Sequence, residues 1–288
     1  MESKILEQVV VIKKTNKKYA THFALCKGDK IRYLIDFSGK KQLSKNISTY
    51  SGKLGLLIKL LPVIPFSALK IGKMGYYVDC SLTPIVKDAV EKYEKNGWNM
   101  IVGTYGIQQK IVLQCFKKNE PSVFLKIGND HTSREMKNET EFLKQSGEYK
   151  SFKVPKLVDS FVNDDQLISQ ATIEFCGNKV KPTLNESIIS IYREISSIKS
   201  DGDKEFSHGD FAPWNMKFDD QYIIFDWEFC GMRIKGFDLM HFVTVTRILL
   251  EGMDFDRAFE NGLSEVKKFI PDFEINKEEF QSEFQALH

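Results

Sequence analysis

The chain has no Cys-x-x-Cys pair, no internal repeat, no low-complexity linker and no hydrophobic run long enough to cross a bilayer. Its five cysteines, Cys26, Cys80, Cys115, Cys176 and Cys230, are scattered and odd in number, which argues against a zinc site and against a disulfide framework. They read as free thiols of a cytoplasmic protein, and the opening Met1-Glu2-Ser3-Lys4 lacks the hydrophobic core of a secretory signal. The most apolar stretch, Leu54 to Phe66, is interrupted by Pro62 and Pro65. No arginine cluster or basic amphipathic helix stands out, so no nucleic-acid partner is expected.

What is present is an ordinary globular composition, 42% hydrophobic and 28% charged over 288 residues, enough for two or three packed units. The net charge of +2 hides an asymmetry, because residues 1–75 carry 15 Lys and Arg against 4 Asp and Glu. Strand-like runs at Gln8 to Ile12, Tyr19 to Leu25 and Ile31 to Phe37, with a turn at Lys27-Gly28-Asp29-Lys30, predict a small antiparallel sheet there. Such a basic module can touch an anionic membrane, a polyanion or a phosphorylated acceptor, although lysines solvating a small sheet are the plainer reading.

The chemistry concentrates further on. His208-Gly209-Asp210-Phe211-Ala212-Pro213-Trp214-Asn215 is followed, eleven residues after Asn215, by Asp226 at the end of the apolar run Tyr222 to Phe225, which reads as a buried strand. Phosphoryl transfer needs this set: one carboxylate to orient and deprotonate a hydroxyl, and an amide oxygen with a second carboxylate to hold magnesium. Asp210 is the candidate base, and Asn215 and Asp226 are candidate metal ligands. The same His, Asp, Asn and Asp would also suit a metal phosphoesterase, so an upstream nucleotide-binding part decides between the two.

Its elements occur in order. Met100 to Ile107 and Lys110 to Phe116 are apolar runs joined through a segment with Gly103 and Gly106, as in a hairpin that lets backbone N–H groups approach phosphates. Ser122-Val123-Phe124-Leu125-Lys126-Ile127 is a strand with one embedded lysine, which calls for a carboxylate partner. The helical spacing of Arg134 to Lys144 offers Glu139, thirteen residues after Lys126, with Glu135 as its rival. Downstream, Leu239 to Leu250, Phe255 to Phe269 and Lys277 to Leu287 carry apolar residues at helical spacing.

Together these motifs resemble the aminoglycoside phosphotransferase and choline kinase family, relatives of the protein kinases whose catalytic loop reads His-Gly-Asp with an asparagine five residues after the aspartate. The resemblance covers roughly residues 98–288 and extends to Asp226-Trp227-Glu228, then glycine, then Asp238-Leu239. It implies an α+β, kinase-like two-lobe fold, with an antiparallel-sheet small lobe and a mainly helical large lobe, preceded by an extra β-rich N-terminal domain. The expected divisions are 1–85 for the basic module, 86–177 for the nucleotide-binding lobe and hinge, and 178–288 for the catalytic lobe.

The resemblance further implies ATP, with GTP an open alternative, and Mg2+. Lys126 would hold the phosphates, Glu139 would hold Lys126, Gly103 and Gly106 would lie over the phosphates, and Glu174, Phe175 and Cys176 would line the adenine pocket as the hinge. Asp238 is expected to cap its helix or brace the catalytic loop, and His208 to orient rather than act as a base. The acceptor is expected to be a small-molecule hydroxyl of sugar, amino-alcohol or aminoglycoside type. Only about thirty residues separate the hinge from His208, so the acceptor part is short for the family. A catalytically weak or inactive kinase-like scaffold acting through the basic module is the alternative.

Overall fold

A computed structural model describes residues 4–39, 43, 60–93, 97–103, 105–116, 122–162, 168–173 and 177–287. The chain is mixed α+β and divides into two compact units, 1–136 with 156–175 and 137–155 with 176–288.

The first unit is built on strands β1 (Val10–Lys14), β2 (His22–Lys27), β3 (Lys30–Asp36), β4 (Gly75–Leu82), β5 (Trp98–Val102), β6 (Ile111–Cys115) and β7 (Val123–Gly128). After the short β8 (Phe152–Lys153) of the second unit, β9 (Leu157–Val162) and β10 (Ile168–Ile173) return to it. Their order is β1-β4-β2-β3-β5-β6-β7-β10-β9, with every neighbouring pair antiparallel. The basic N-terminal strands and the hairpin of the glycine-bearing segment thus share one sheet, joined where Tyr33 pairs with Ile101 and Leu34 with Met100.

Side-chain alternation explains why the early strands read as nearly continuous apolar runs. Ala24 and Leu34 point to one core, with Ile5, Val9, Val86 and Val90 from the helices Lys4–Val9 and Pro84–Glu91. Phe23, Leu25, Tyr33 and Ile35 point to the opposite core, with Phe66 and Leu69 from the helix Phe66–Ile71. A strand covered on both faces has apolar residues at every position. The expected strand from Gln8 starts later, because Ile5 and Val9, four apart, form one face of a helical turn that delivers the chain into β1.

A buried polar pair pins the middle of this sheet. Asn99 Oδ1 accepts from the Asp36 amide at 3.0 Å, while its Nδ2 donates to Gln114 Oε1 at 3.0 Å and to the Gly39 carbonyl at 2.9 Å. Satisfied at every bond, the pair fixes register where apolar contacts alone would tolerate a slip.

The second unit is more helical, with helices Glu186–Ser196, Phe237–Thr246, Phe255–Val266 and Lys277–Gln285 and a π turn at Arg247–Glu251. The expected helices at the end of the chain are therefore found, with a boundary at Gly252, which has φ +71°. Of the strands in two further small sheets, only the one in the apolar run Tyr222 to Phe225 was expected. One sheet orders β11 (Asn178–Lys179), β14 (Met216–Phe218), β15 (Tyr222–Ile224) and β8, and the other β12 (Ser200–Asp201), β13 (Lys204–Ser207) and β16 (Gly231–Ile234). Strands of two to four residues are too short to show a period in sequence. Among the described residues no helix is long and apolar enough to cross a membrane, and Leu54 to Lys59 of the apolar stretch lie outside them.

Candidate active site

β13 ends at Ser207 and hands the chain to His208-Gly209-Asp210. Asp238, in the first turn of the helix Phe237–Thr246 and 2% exposed, holds this loop. Its carboxylate accepts from Ser207 Oγ at 2.5 Å, from the His208 amide at 2.7 Å and from the Gly209 amide at 3.1 Å. Of the two structural roles expected for Asp238, bracing is the one observed; the N-cap is Gly236, and no side chain caps the helix. Gly209 has φ +89°, and a Cβ there would lie 2.2 Å from the Phe229 carbonyl oxygen. Only glycine fits that turn.

His208 is fully buried beside Trp227, with ring centroids 4.5 Å apart. Its Nε2 lies 3.1 Å from the Phe225 carbonyl. A carbonyl only accepts, so Nε2 carries the hydrogen and the ring ties the loop to the end of β15. That is an orienting role.

Asp210 is half-buried, and Asn215 stands directly on it. Asn215 Nδ2 donates to Asp210 Oδ2 at 2.8 Å and to the Asp210 carbonyl at 2.9 Å. With the amide nitrogen spent on Asp210, the side-chain oxygen is the Asn215 atom whose chemistry suits a cation. Pro213 opens the 3-10 turn Pro213–Asn215 that buries Asn215. Antiparallel β14 and β15 then carry the chain back, and the Phe225 amide donates to the Asn215 carbonyl at 3.1 Å, which brings Asp226 to the loop.

Asp226 adopts φ 72° and ψ 53°, a left-handed conformation that costs a non-glycine residue of order 1–3 kcal/mol. The turn aims its carboxylate at Glu139 and Glu228, and one ligand atom from each of the three lies within 4.8 Å of the others. The helix Ser133–Gln145 is stitched to the same turn: Glu139 Oε1 accepts from the Trp227 amide at 3.2 Å, Asn138 Nδ2 donates to the carbonyls of Glu228 and Cys230, and Phe142 stacks on Trp227 at 4.1 Å. Three carboxylates with an amide oxygen nearby in the chain are hard oxygen donors, the set that suits magnesium.

Glu228 and the convergence with Glu139 were not read from the sequence as ligands. The signal available was the Asp226-Trp227-Glu228 spacing, in which a buried tryptophan at the centre leaves both acids on the other side of a short turn. Lys126 is half-buried in β7, paired with Val112 on one side and Gln170 on the other. Gly103 closes the β5–β6 hairpin, where a Cβ would meet the Lys110 carbonyl at 2.6 Å, whereas Gly106 has open space around it. Glu174, Phe175 and Cys176 lie outside the described residues.

Burial, and then the Glu139 carboxylate, push the Cys230 thiol up to about 12, and burial followed by Asp79 does the same for Cys80. Only the thiolate reacts. Both residues are therefore expected to resist iodoacetamide at pH 8 in the native chain and to become labelled in urea; peptide mass spectrometry of both samples checks this.

Residues 184–269 match the model of the phosphotransferase enzyme family. A search among curated proteins finds no match. Among solved structures, the chain is similar to a thermostable mutant of aminoglycoside phosphotransferase APH(4)-Ia in ternary complex with ADP and hygromycin B, at 8% identity and TM-score 0.42, covering 66% of this chain and 84% of that one. A second mutant, in complex with AMP-PNP and hygromycin B, gives 8% identity and TM-score 0.44 over 66% and 84%. Aminoglycoside phosphotransferase APH(4)-Ia itself gives 8% and 0.43 over 65% and 83%. The stretch that matches the phosphotransferase enzyme family, residues 184–269, contains the loop from His208 to Asn215 and the turn from Asp226 to Glu228.

Proposed function

We propose that the protein transfers the γ-phosphoryl group of ATP to a hydroxyl of a small molecule. The observation that carries this reading is the Asp210–Asn215 contact, in which the amide of one residue is spent on orienting the carboxylate of the other. A loop that merely turned the chain would not need two bonds from one buried amide to one aspartate.

In this reaction Asp210 accepts the hydroxyl proton as the acceptor oxygen bonds to phosphorus and the bond to ADP breaks. Asp226, Glu228 and the Asn215 oxygen would hold magnesium, which, when bound, neutralises charge on the phosphate oxygens. By the family resemblance Lys126 would hold the phosphates with Glu139 as its counter-charge, Gly103 and Gly106 would belong to the phosphate loop, and Glu174, Phe175 and Cys176, outside the described residues, would serve adenine. An acceptor of sugar, amino-alcohol or aminoglycoside type fits this chemistry.

The test is a thermal-shift titration with ATP, with and without magnesium. Magnesium-ATP is expected to raise Tm of the wild type, with a stabilisation of about 2.7 kcal/mol at a hundredfold excess over Kd. In Asp226→Ala the gain is expected to shrink by more than half. A wild type indifferent to millimolar magnesium-ATP would overturn the proposal.

A further inference from the structure

His241 is fully buried in the middle of the helix Phe237–Thr246, a run of core residues in which a histidine has no packing advantage. Its Nδ1 lies 3.1 Å from the Phe211 carbonyl, and because a carbonyl only accepts, Nδ1 carries a hydrogen. That bond fixes the ring and turns Nε2 toward Asp210, whose Oδ1 is 3.6 Å away.

The two oxygens of Asp210 are in different situations. Oδ2 takes the amide hydrogen of Asn215, whereas Oδ1 is buried with no hydrogen-bond partner among the described residues. A bare Nε2 would set its lone pair against a buried anionic oxygen. A hydrogen on Nε2 turns the same approach into an ion pair, at a distance that catalytic contacts without substrate often show before they tighten. The rings of Phe237 and Phe284 flank the imidazole at 5.8 and 5.5 Å. Asp238, one turn earlier on the same helix, spends its oxygens on Ser207, His208 and Gly209.

We propose that His241 is the positioning residue of Asp210: its Nε2–H holds Oδ1 inward and leaves Oδ2, on the Asn215 side, as the oxygen that receives the hydroxyl proton. The proposal rests on the reading of Asp210 as the base. In the step itself the acceptor O–H bond breaks, its proton goes to Oδ2, its electron pair forms the new O–P bond, and the P–O bond to the leaving nucleoside diphosphate breaks. His241 stays in place throughout.

The experiment uses magnesium-ATP hydrolysis, with water as the acceptor, in the wild type, Asp210→Ala, His241→Phe and His241→Gln. His241→Phe fills the volume without a donor and is expected to lower kcat by about tenfold to a hundredfold with KM for magnesium-ATP within about twofold. His241→Gln restores an N–H and is expected to return kcat to within about threefold of the wild type. An active wild type matched by His241→Phe overturns the role of His241 and leaves the phosphotransferase reading standing, as does a glutamine variant as slow as the phenylalanine one. A wild type with no hydrolysis above that of Asp210→Ala overturns the base assignment and this proposal with it. The imidazole 15N spectrum of the wild type needs no variant to fold: a protonated His241 Nε2 at pH 7 is expected, and a bare one overturns the proposal.

Discussion

In the reaction proposed above, Asp210→Ala is expected to lower phosphoryl transfer by about a hundredfold to ten-thousandfold, the usual consequence of removing a positioned base. The fold should survive the change. Asp210 is 22% exposed, and its loss costs Asn215 one of two bonds, the other of which runs to the backbone carbonyl of residue 210 at 2.9 Å and persists in the variant. Tm is therefore expected to fall by only a few degrees, and magnesium-ATP should still stabilise the variant, because the acidic group at Asp226 is untouched. Asp210→Asn is the sharper probe: it keeps the volume and removes the charge, and it should be about as slow as the alanine variant. Turnover with the acceptor, beside Tm with and without nucleotide, checks both, and a variant near the wild-type rate would remove Asp210 from the mechanism.

Asp238→Ala should have the largest effect on stability. Its carboxylate is 2% exposed and is the shared acceptor for one hydroxyl and two consecutive backbone amides. Alanine leaves the His208 amide without that acceptor in a site with no room for bulk water, while the Gly209 amide retains Ser207 Oγ at 3.0 Å. With about 1–3 kcal/mol for each buried group left unsatisfied, the loss is expected to be about 3–5 kcal/mol, or roughly 10 °C in Tm. Asp238→Asn removes the charge and turns an N–H toward donors, so it should recover little. Urea unfolding and calorimetry check this, and a Tm within about 2 °C of the wild type would show that the brace is dispensable.

The contrast between these two aspartates shows what the sequence can and cannot express. The closeness of Asn215 to Asp210, and the strand pair that returns the chain to Asp226, were legible because they are made inside one loop–strand unit, where spacing along the chain nearly determines spacing in space. The bracing by Asp238 was legible as one of two options, since a helix start and a loop contact ask for the same residue type. The convergence of Glu139 with Asp226 and Glu228 was not, because it depends on a helix nearly ninety residues earlier docking through Asn138 and Phe142. His241 was invisible for a different reason: it sits in an apolar helix whose periodicity marks it as core, and only the direction of one ring nitrogen separates it from its neighbours. Among the strands, the hairpins were readable from their turns, but the pairing of β3 with β5 joins residues more than sixty positions apart and leaves no local mark.

That pairing governs how the chain can be cut. β5 has β3 on one side and β6 on the other, and Trp98, Met100 and Val102 pack in the same core as Ile5, Val9, Val78 and Val90. A fragment beginning just ahead of Trp98 would keep every residue of the proposed reaction and yet present a bare strand edge above an uncovered apolar face, a template for adding a strand from another molecule. Its failure in solution would be intermolecular stacking through β5, with the chemistry intact but out of reach. For this chain, the smallest unit that can be handled reaches back to the helix that begins at Lys4.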